Sequence, residues 1–255
     1  MSDLKSKGSL YVHVQNRVAT IEFGHPDANS FPSELLDRLS KALDELSENR
    51  DVSVILLKSE GNETFCAGAS FDELLAVQNS EQGKQFFSGF AQLINAMRTC
   101  RKIIIGRAQG KAVGGGVGIL AASDYVLATV NASVKLSELS IGIGPFVIAP
   151  AVERKIGKAA FSELSLVAHE WKNAYWAKEK GLFAQVYDTV KEMDKEVDFL
   201  TQKLAAYHPA ALEATKKIFW EGTENWDKLL IERAKISGEL VLSDFAKNAL
   251  ALFRK

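Results

Sequence analysis

At 255 residues, 47% of them hydrophobic, the chain can bury a full core without a disulfide or metal staple. Its 31 Lys and Arg against 32 Asp and Glu leave a formal net charge of −1, so no global field favours nucleic acid or a membrane surface as a partner, and an anionic ligand has to be caught locally. Cys66 and Cys100 form neither a disulfide framework nor a zinc spacing. The polar start Met1-Ser2-Asp3-Leu4-Lys5 and the lack of any long apolar run predict a cytoplasmic protein with neither a secretory signal nor a membrane span.

Residues Leu10 to Phe23 read as two strands around the turn-like Gln15-Asn16-Arg17, with Val12, Val14, Val18, Ile21 and Phe23 at strand positions. Pro26-Asp27-Ala28-Asn29-Ser30 is a turn cluster. Pro32-Ser33-Glu34 then opens a helix to about Ser47, whose Leu35, Leu36, Leu39, Leu43 and Leu46 make one buried face. Val52 to Lys58 is a nearly continuous apolar run, the pattern of a strand covered on both faces. A helix from about Ser80 to Arg98, a second such strand at Lys102 to Ala108 and a third at Ser123 to Val130 repeat the alternation, which predicts an α/β fold. Beyond Ala151 only Gln185-Val186-Tyr187 reads as strand; helices are expected at 157–167, 174–180, 193–207, 209–222 and 225–242. With no repeat, linker or low-complexity tract, the division is a core over 1–200 and a helical extension over 201–255.

The run Gly110-Lys111-Ala112-Val113-Gly114-Gly115-Gly116-Val117-Gly118 joins a strand to a helix-like stretch. Glycines there let a ligand reach backbone N–H groups, and the helix dipole adds about half a positive charge. Close packing of a tight turn explains the same glycines. The run matches neither a phosphate loop, which needs Gly-Lys-Ser/Thr, nor a dinucleotide fingerprint with its later acidic residue. Phe65-Cys66-Ala67-Gly68-Ala69-Ser70-Phe71 is a second strand-to-helix passage through small residues. Cys66 has no His nearby in sequence and reads as a small hydrophobe.

In order along the chain, Phe65-Cys66-Ala67-Gly68-Ala69, Gly110 with Gly114-Gly115-Gly116, Ser123-Asp124, and Glu138 before Ile141-Gly142-Ile143 resemble the motifs of the enoyl-CoA hydratase/isomerase (crotonase) family. The resemblance covers roughly residues 10 to 255. It implies a spiral of repeated ββα units, a helical C-terminal region and a homotrimer or dimer of trimers. It implies further that the N–H groups of Ala69 and Gly115 form an oxyanion hole for a CoA thioester, with Ala28, Ala67, Gly68 and Gly114 along the substrate. Each such donor contributes about 2.7–4 kcal/mol in other enzymes. No separate cofactor is implied, coenzyme A being part of the substrate.

The family's hydratases use two glutamates, the first two residues after the glycine triplet. That position is Gly118 here, which cannot hold a water. The second, Glu138 in Ser137-Glu138-Leu139-Ser140, is kept. One carboxylate suffices to move a proton between two carbons, so the resemblance points to the family's 3-enoyl-CoA to 2-enoyl-CoA isomerases, some of which carry a Pro-Phe like Pro145-Phe146. The family's dehalogenases also lack the first glutamate, but their nucleophilic aspartate falls at Phe146. Two other readings stay open: a hydratase using Asp124 or Glu73 as a partner, and a non-catalytic acyl-CoA binder. Asp72 and Glu73 are expected to face solvent. His13, His25, His169 and His208 are scattered and imply surface or packing roles and no metal site. Trp171, Tyr175 and Trp176 share a helical spacing suited to packing or to an acyl tunnel, and Arg254 and Lys255 lie where C-terminal cations reach a CoA phosphate in the resembled family.

Overall fold

A computed structural model describes residues 7–252. Strands β1 (Ser9–Gln15) and β2 (Val18–Gly24) form an antiparallel hairpin. Its turn residues Asn16 and Arg17 have φ of 50° and 64°, the positive angles a two-residue hairpin requires. Helix α1 (Ser33–Glu48) buries the five leucines read from its sequence. The chain then repeats one pattern. β3 (Val54–Ser59) and β4 (Thr64–Cys66) lead into α2 (Phe71–Leu75) and α3 (Ser80–Thr99). β5 (Ile103–Ala108) and β6 (Lys111–Val113) lead into α4 (Gly115–Ala122). β7 (Tyr125–Thr129) and β8 (Ser133–Lys135) lead through a 3-10 turn (Glu138–Ile141) into α5 (Ala149–Leu166).

In each repeat the first strand joins a six-stranded sheet of order β1-β2-β3-β5-β7-β10 and the second joins a smaller sheet of order β4-β6-β8-β9. β9 is Lys172–Asn173 and β10 is Gln185–Tyr187. Neighbours are parallel except β1 with β2 and β8 with β9. This is the α/β spiral of ββα units that the resemblance implied.

The large sheet is covered on both faces, which is why its strands lack polar alternation. Ile55, Leu57, Ile104, Val126 and Ala128 face the main core. Val54, Leu56, Ile103, Ile105 and Leu127 point the other way, onto Met193 and Val197 of α7 (Val190–Ala205). After α6 (Ala174–Glu179) and β10, the chain is helical: α7, then α8 (Pro209–Phe219), α9 (Trp226–Leu240) and α10 (Asp244–Leu252). Trp220, Trp226, Leu230 and Leu250 from this region belong to the main core.

The structure departs from the sequence reading in small elements. Strands β4, β6, β8 and β9, two or three residues each, were not expected. The helix expected over 157–167 begins at Ala149 and breaks at Gly157, whose φ is 78°, and α10 was not foreseen as a separate helix. Both cysteines are buried free thiols. Among the described residues no helix is long and apolar enough to cross a membrane. Arg254 and Lys255, expected to approach a CoA phosphate, lie outside the described residues.

Candidate active site

The site begins at the N-terminus of α4. Gly114 caps it at φ 51° and ψ −116°, a conformation that strains any side chain. A Cβ there would meet Oε1 of Glu138 at 2.8 Å. Gly115 is the first helical residue, so its N–H has no acceptor within the helix. A Cβ on it would strike the Phe90 ring at 2.2 Å.

The facing segment follows β4. Ala67 N–H donates to the Ala28 carbonyl at 3.0 Å, and Gly68 N–H donates to Cys66 Sγ at 3.2 Å. Phe31 N–H donates to Gly68 O at 2.8 Å and Ser70 N–H to Phe31 O at 2.9 Å. These two bonds bracket Ala69 in a parallel bridge, so its own N–H points away from Phe31. A Cβ on Gly68 would lie 3.8 Å from Gly115 N, so the two small-residue segments touch.

Ala67, Gly68, Ala69, Gly114, Gly115, Glu138, Pro145 and Phe146 line one cavity of about 480 Å³. Of the residues that the resemblance placed at the oxyanion hole, the shuttle and the substrate, Ala28 alone is outside the lining: it is exposed, at φ 52°, and its carbonyl holds the Ala67 segment. Asn29, not singled out by sequence, fixes that turn by donating to the Glu60 and Thr64 carbonyls, each at 2.8 Å.

Glu138 opens the 3-10 turn. Its Oε2 is shut off from solvent and has no hydrogen-bond partner among the described residues. Burial pushes its carboxyl up to about 7, against a smaller opposing effect of its own backbone N–H. Among the described residues of the lining it is the one acid. The two partners considered for it are engaged elsewhere. Asp124 pairs with Lys216 at 3.0 Å and accepts the Trp220 indole N–H at 2.9 Å, while Glu73, expected at the surface, is partly buried and accepts Ser33 N–H at 2.9 Å at the start of α1. A Cβ on Gly118 would meet Cγ2 of Ile148 at 2.5 Å, so an aliphatic side chain fills the space in front of it.

The remaining walls are mostly apolar, among them Phe71 and Leu74 of α2, Phe87 and Phe90 of α3, and Val147 and Ile148 ahead of α5. Sequence reading missed them because the face of a helix that meets a cavity has the same periodicity as one that meets a core. Ser237 of α9 also reaches the lining. His169, read as a surface or packing residue, is exposed but sits on the cavity rim, where its carbonyl accepts Lys135 Nζ at 3.1 Å. Trp171, Tyr175 and Trp176 do not line it. Trp171 carries Lys111 and Lys135 at 5.4 and 5.8 Å from its ring centre, and Trp176 packs against the core. Cys66 is fully buried and its thiol is pushed up to about 12 by burial, which removes it as a nucleophile.

The family profile for enoyl-CoA hydratase/isomerase matches residues 13–247. The chain belongs to the enoyl-CoA hydratase/isomerase family. It is thereby an enzyme of the crotonase superfamily. This family member is 27% identical over 247 residues to a probable enoyl-CoA hydratase of Bacillus subtilis, covering 96% of this chain and 95% of that one. It is 27% identical over 211 residues to a peroxisomal Δ(3,5)-Δ(2,4)-dienoyl-CoA isomerase of Arabidopsis thaliana, covering 77% and 74%. Its fold matches the crystal structure of an enoyl-CoA hydratase from Bacillus halodurans with a TM-score of 0.88 at 20% identity, covering 95% of this chain and 99% of that one.

Proposed function

We propose that this family member shifts the double bond of a 3-enoyl-CoA to the 2-position, with Glu138 as the single proton shuttle. The observation that carries this reading is one buried carboxylate, with Oε2 unpartnered, as the sole acid among the described residues of a mostly apolar cavity. In the proposed reaction the thioester oxygen lies between the N–H groups of Ala69 and Gly115. Glu138 removes a proton from C2, the negative charge spreads onto that oxygen, and the protonated Glu138 returns a proton to C4 while the double bond moves to C2–C3. Proton count is conserved and no water is consumed. A shuttle whose carboxyl titrates near 7 is both base and acid at neutral pH.

The CoA thioester itself is supported by the relatives, a dienoyl-CoA isomerase and a probable enoyl-CoA hydratase. Ala67, Gly68, Gly114, Pro145 and Phe146 would flank the thioester and acyl chain, with the exposed Ala28 beside Ala67 meeting the CoA portion outside the cavity. A homotrimer or dimer of trimers belongs to the same proposal: the exposed Leu240, Phe245 and Leu252 of α9 and α10 offer apolar surface for it.

The test is incubation with a 3-enoyl-CoA and, separately, a 2-enoyl-CoA, following products by mass and ultraviolet absorbance. Isomerisation without change of mass, abolished in Glu138→Gln, is the expected result. Mass gain of one water on the 2-enoyl substrate would replace this reading with hydration. Binding without turnover would make the chain an acyl-CoA binder.

A further inference from the structure

The environment of Glu138 decides more than its basicity. Gly114, the N-cap of α4, and Gly118 are joined across the first turn of that helix, where Gly118 N–H donates to the Gly114 carbonyl at 3.2 Å. Glu138 covers the first and Ile148 the second. Ile148 is 4% exposed, lines the cavity, and stands at the N-cap of α5. Glu138 and the sec-butyl group of Ile148 thus bound the same cavity about one helical turn apart, and among the described residues Glu138 Oε2 has neither a hydrogen-bond partner nor contact with solvent.

We propose that Ile148 seals the Glu138 carboxylate from water, so that the proton taken from C2 is the one delivered to C4 and no water is held where it would add to the double bond. This inference rests on the isomerase reading. In the balanced step one C2–H bond breaks and one C4–H bond forms with the same hydrogen, carried meanwhile on Glu138; no oxidant, reductant or water enters. Ile148 is a positioning residue: it acts by exclusion and transfers nothing.

The charged surroundings leave this role to Ile148. Titratable side chains sharing the cavity are Lys135 from β8 and His169 from the loop after α5. The first is engaged with the His169 carbonyl, and the second is exposed beside Glu170 at 3.6 Å. α4 carries no titratable residue, α3 contributes Phe87 and Phe90, and α10 turns Phe245 and Ala246 toward Gly142 while Asp244 and Lys247 are exposed. Burial, and neither cation, raises the Glu138 carboxyl.

The experiment uses a 3-enoyl-CoA deuterated at C2, in ordinary water, with the wild type, Ile148→Ala and Ile148→Val. The wild type is expected to carry the label to C4 of the product. Ile148→Ala is expected to lose more than half of it to solvent and to form some hydrated product, with Ile148→Val between. In parallel, the Glu138 carboxyl is titrated by infrared difference against Glu138→Gln. Its midpoint in Ile148→Ala should fall by about one pH unit or more. Complete loss of label in the wild type overturns the proposal, as does a folded Ile148→Ala with unchanged titration and label transfer. If Ile148→Ala does not fold, Ile148→Val with unchanged label transfer and titration overturns it. A wild type that never turns over a 3-enoyl-CoA removes the isomerase reading, and the titration still judges the seal by itself.

Discussion

At the scale of single residues, the role proposed for Glu138 comes at a cost to stability. Its carboxyl titrates at about 7 in the fold and near 4.3 when unfolded. The native state therefore holds a proton that the unfolded state has released between those values, and the stabilising contribution of the protonated form is lost as pH rises through 7. Glu138→Gln removes this dependence. The variant should be more stable than the wild type at pH 8, by at most about 4 kcal/mol, with the two converging at low pH; urea unfolding at several pH values measures it. Turnover has the opposite slope. Because the proposed reaction starts from the carboxylate, kcat/KM should rise with pH and level off above about 7, and a flat profile through that range would remove Glu138 as the base. Glu138 was legible in the sequence only through its place in the family's motif order, since a lone glutamate has no distinguishing pattern. Ile148 was not legible at all, because its meaning lies in facing Gly118 across two helices.

Among elements, legibility followed length and period. The hairpin, α1, α3 and the long strands announce themselves through apolar spacing. β4, β6 and β8 have three residues each, too few for any period, yet they bring the Cys66–Ser70 segment and the start of α4 side by side. α4 is apolar all round, so it shows no stripe. The packing of α9 on α3 was equally silent: it depends on Gly83 and Gly238, where a Cβ on Gly238 would meet Lys84 N at 2.4 Å and one on Gly83 would meet the Gly238 carbonyl oxygen at 2.6 Å. Gly238→Ala should force these helices apart and cost about 1–3 kcal/mol, visible as a lower Tm. Since Ser237 next to it lines the cavity, KM for the acyl-CoA should rise as well. An unchanged Tm would mean that the crossing relaxes freely.

For the whole molecule the question is what ties the helical C-terminal region to the sheet. Asp124, just ahead of β7, accepts Ile104 N–H at 2.8 Å from β5, pairs with Lys216 of α8 and accepts the Trp220 indole, while Lys155 of α5 donates to its backbone carbonyl at 2.9 Å. The Asp124 and Lys216 side chains are each 2% exposed, so this ion pair is worth little relative to an apolar pair of the same shape but is expensive to break from one side. Asp124→Ala leaves the Lys216 ammonium buried without its counter-ion, donating to the Lys102 carbonyl at 2.8 Å, and should cost about 3–5 kcal/mol. Adding Lys216→Met should recover most of that loss. Turnover per folded molecule, measured well below the lowered Tm, should stay near the wild-type value in both, because Asp124 does not line the cavity. Asp124→Ala with an ordinary Tm and no turnover would reverse this assignment and make Asp124 the missing second carboxylate. A loss of stability repaired by the second substitution would instead identify the residue as the joint through which α5, α8 and the sheet hold the cavity walls in place.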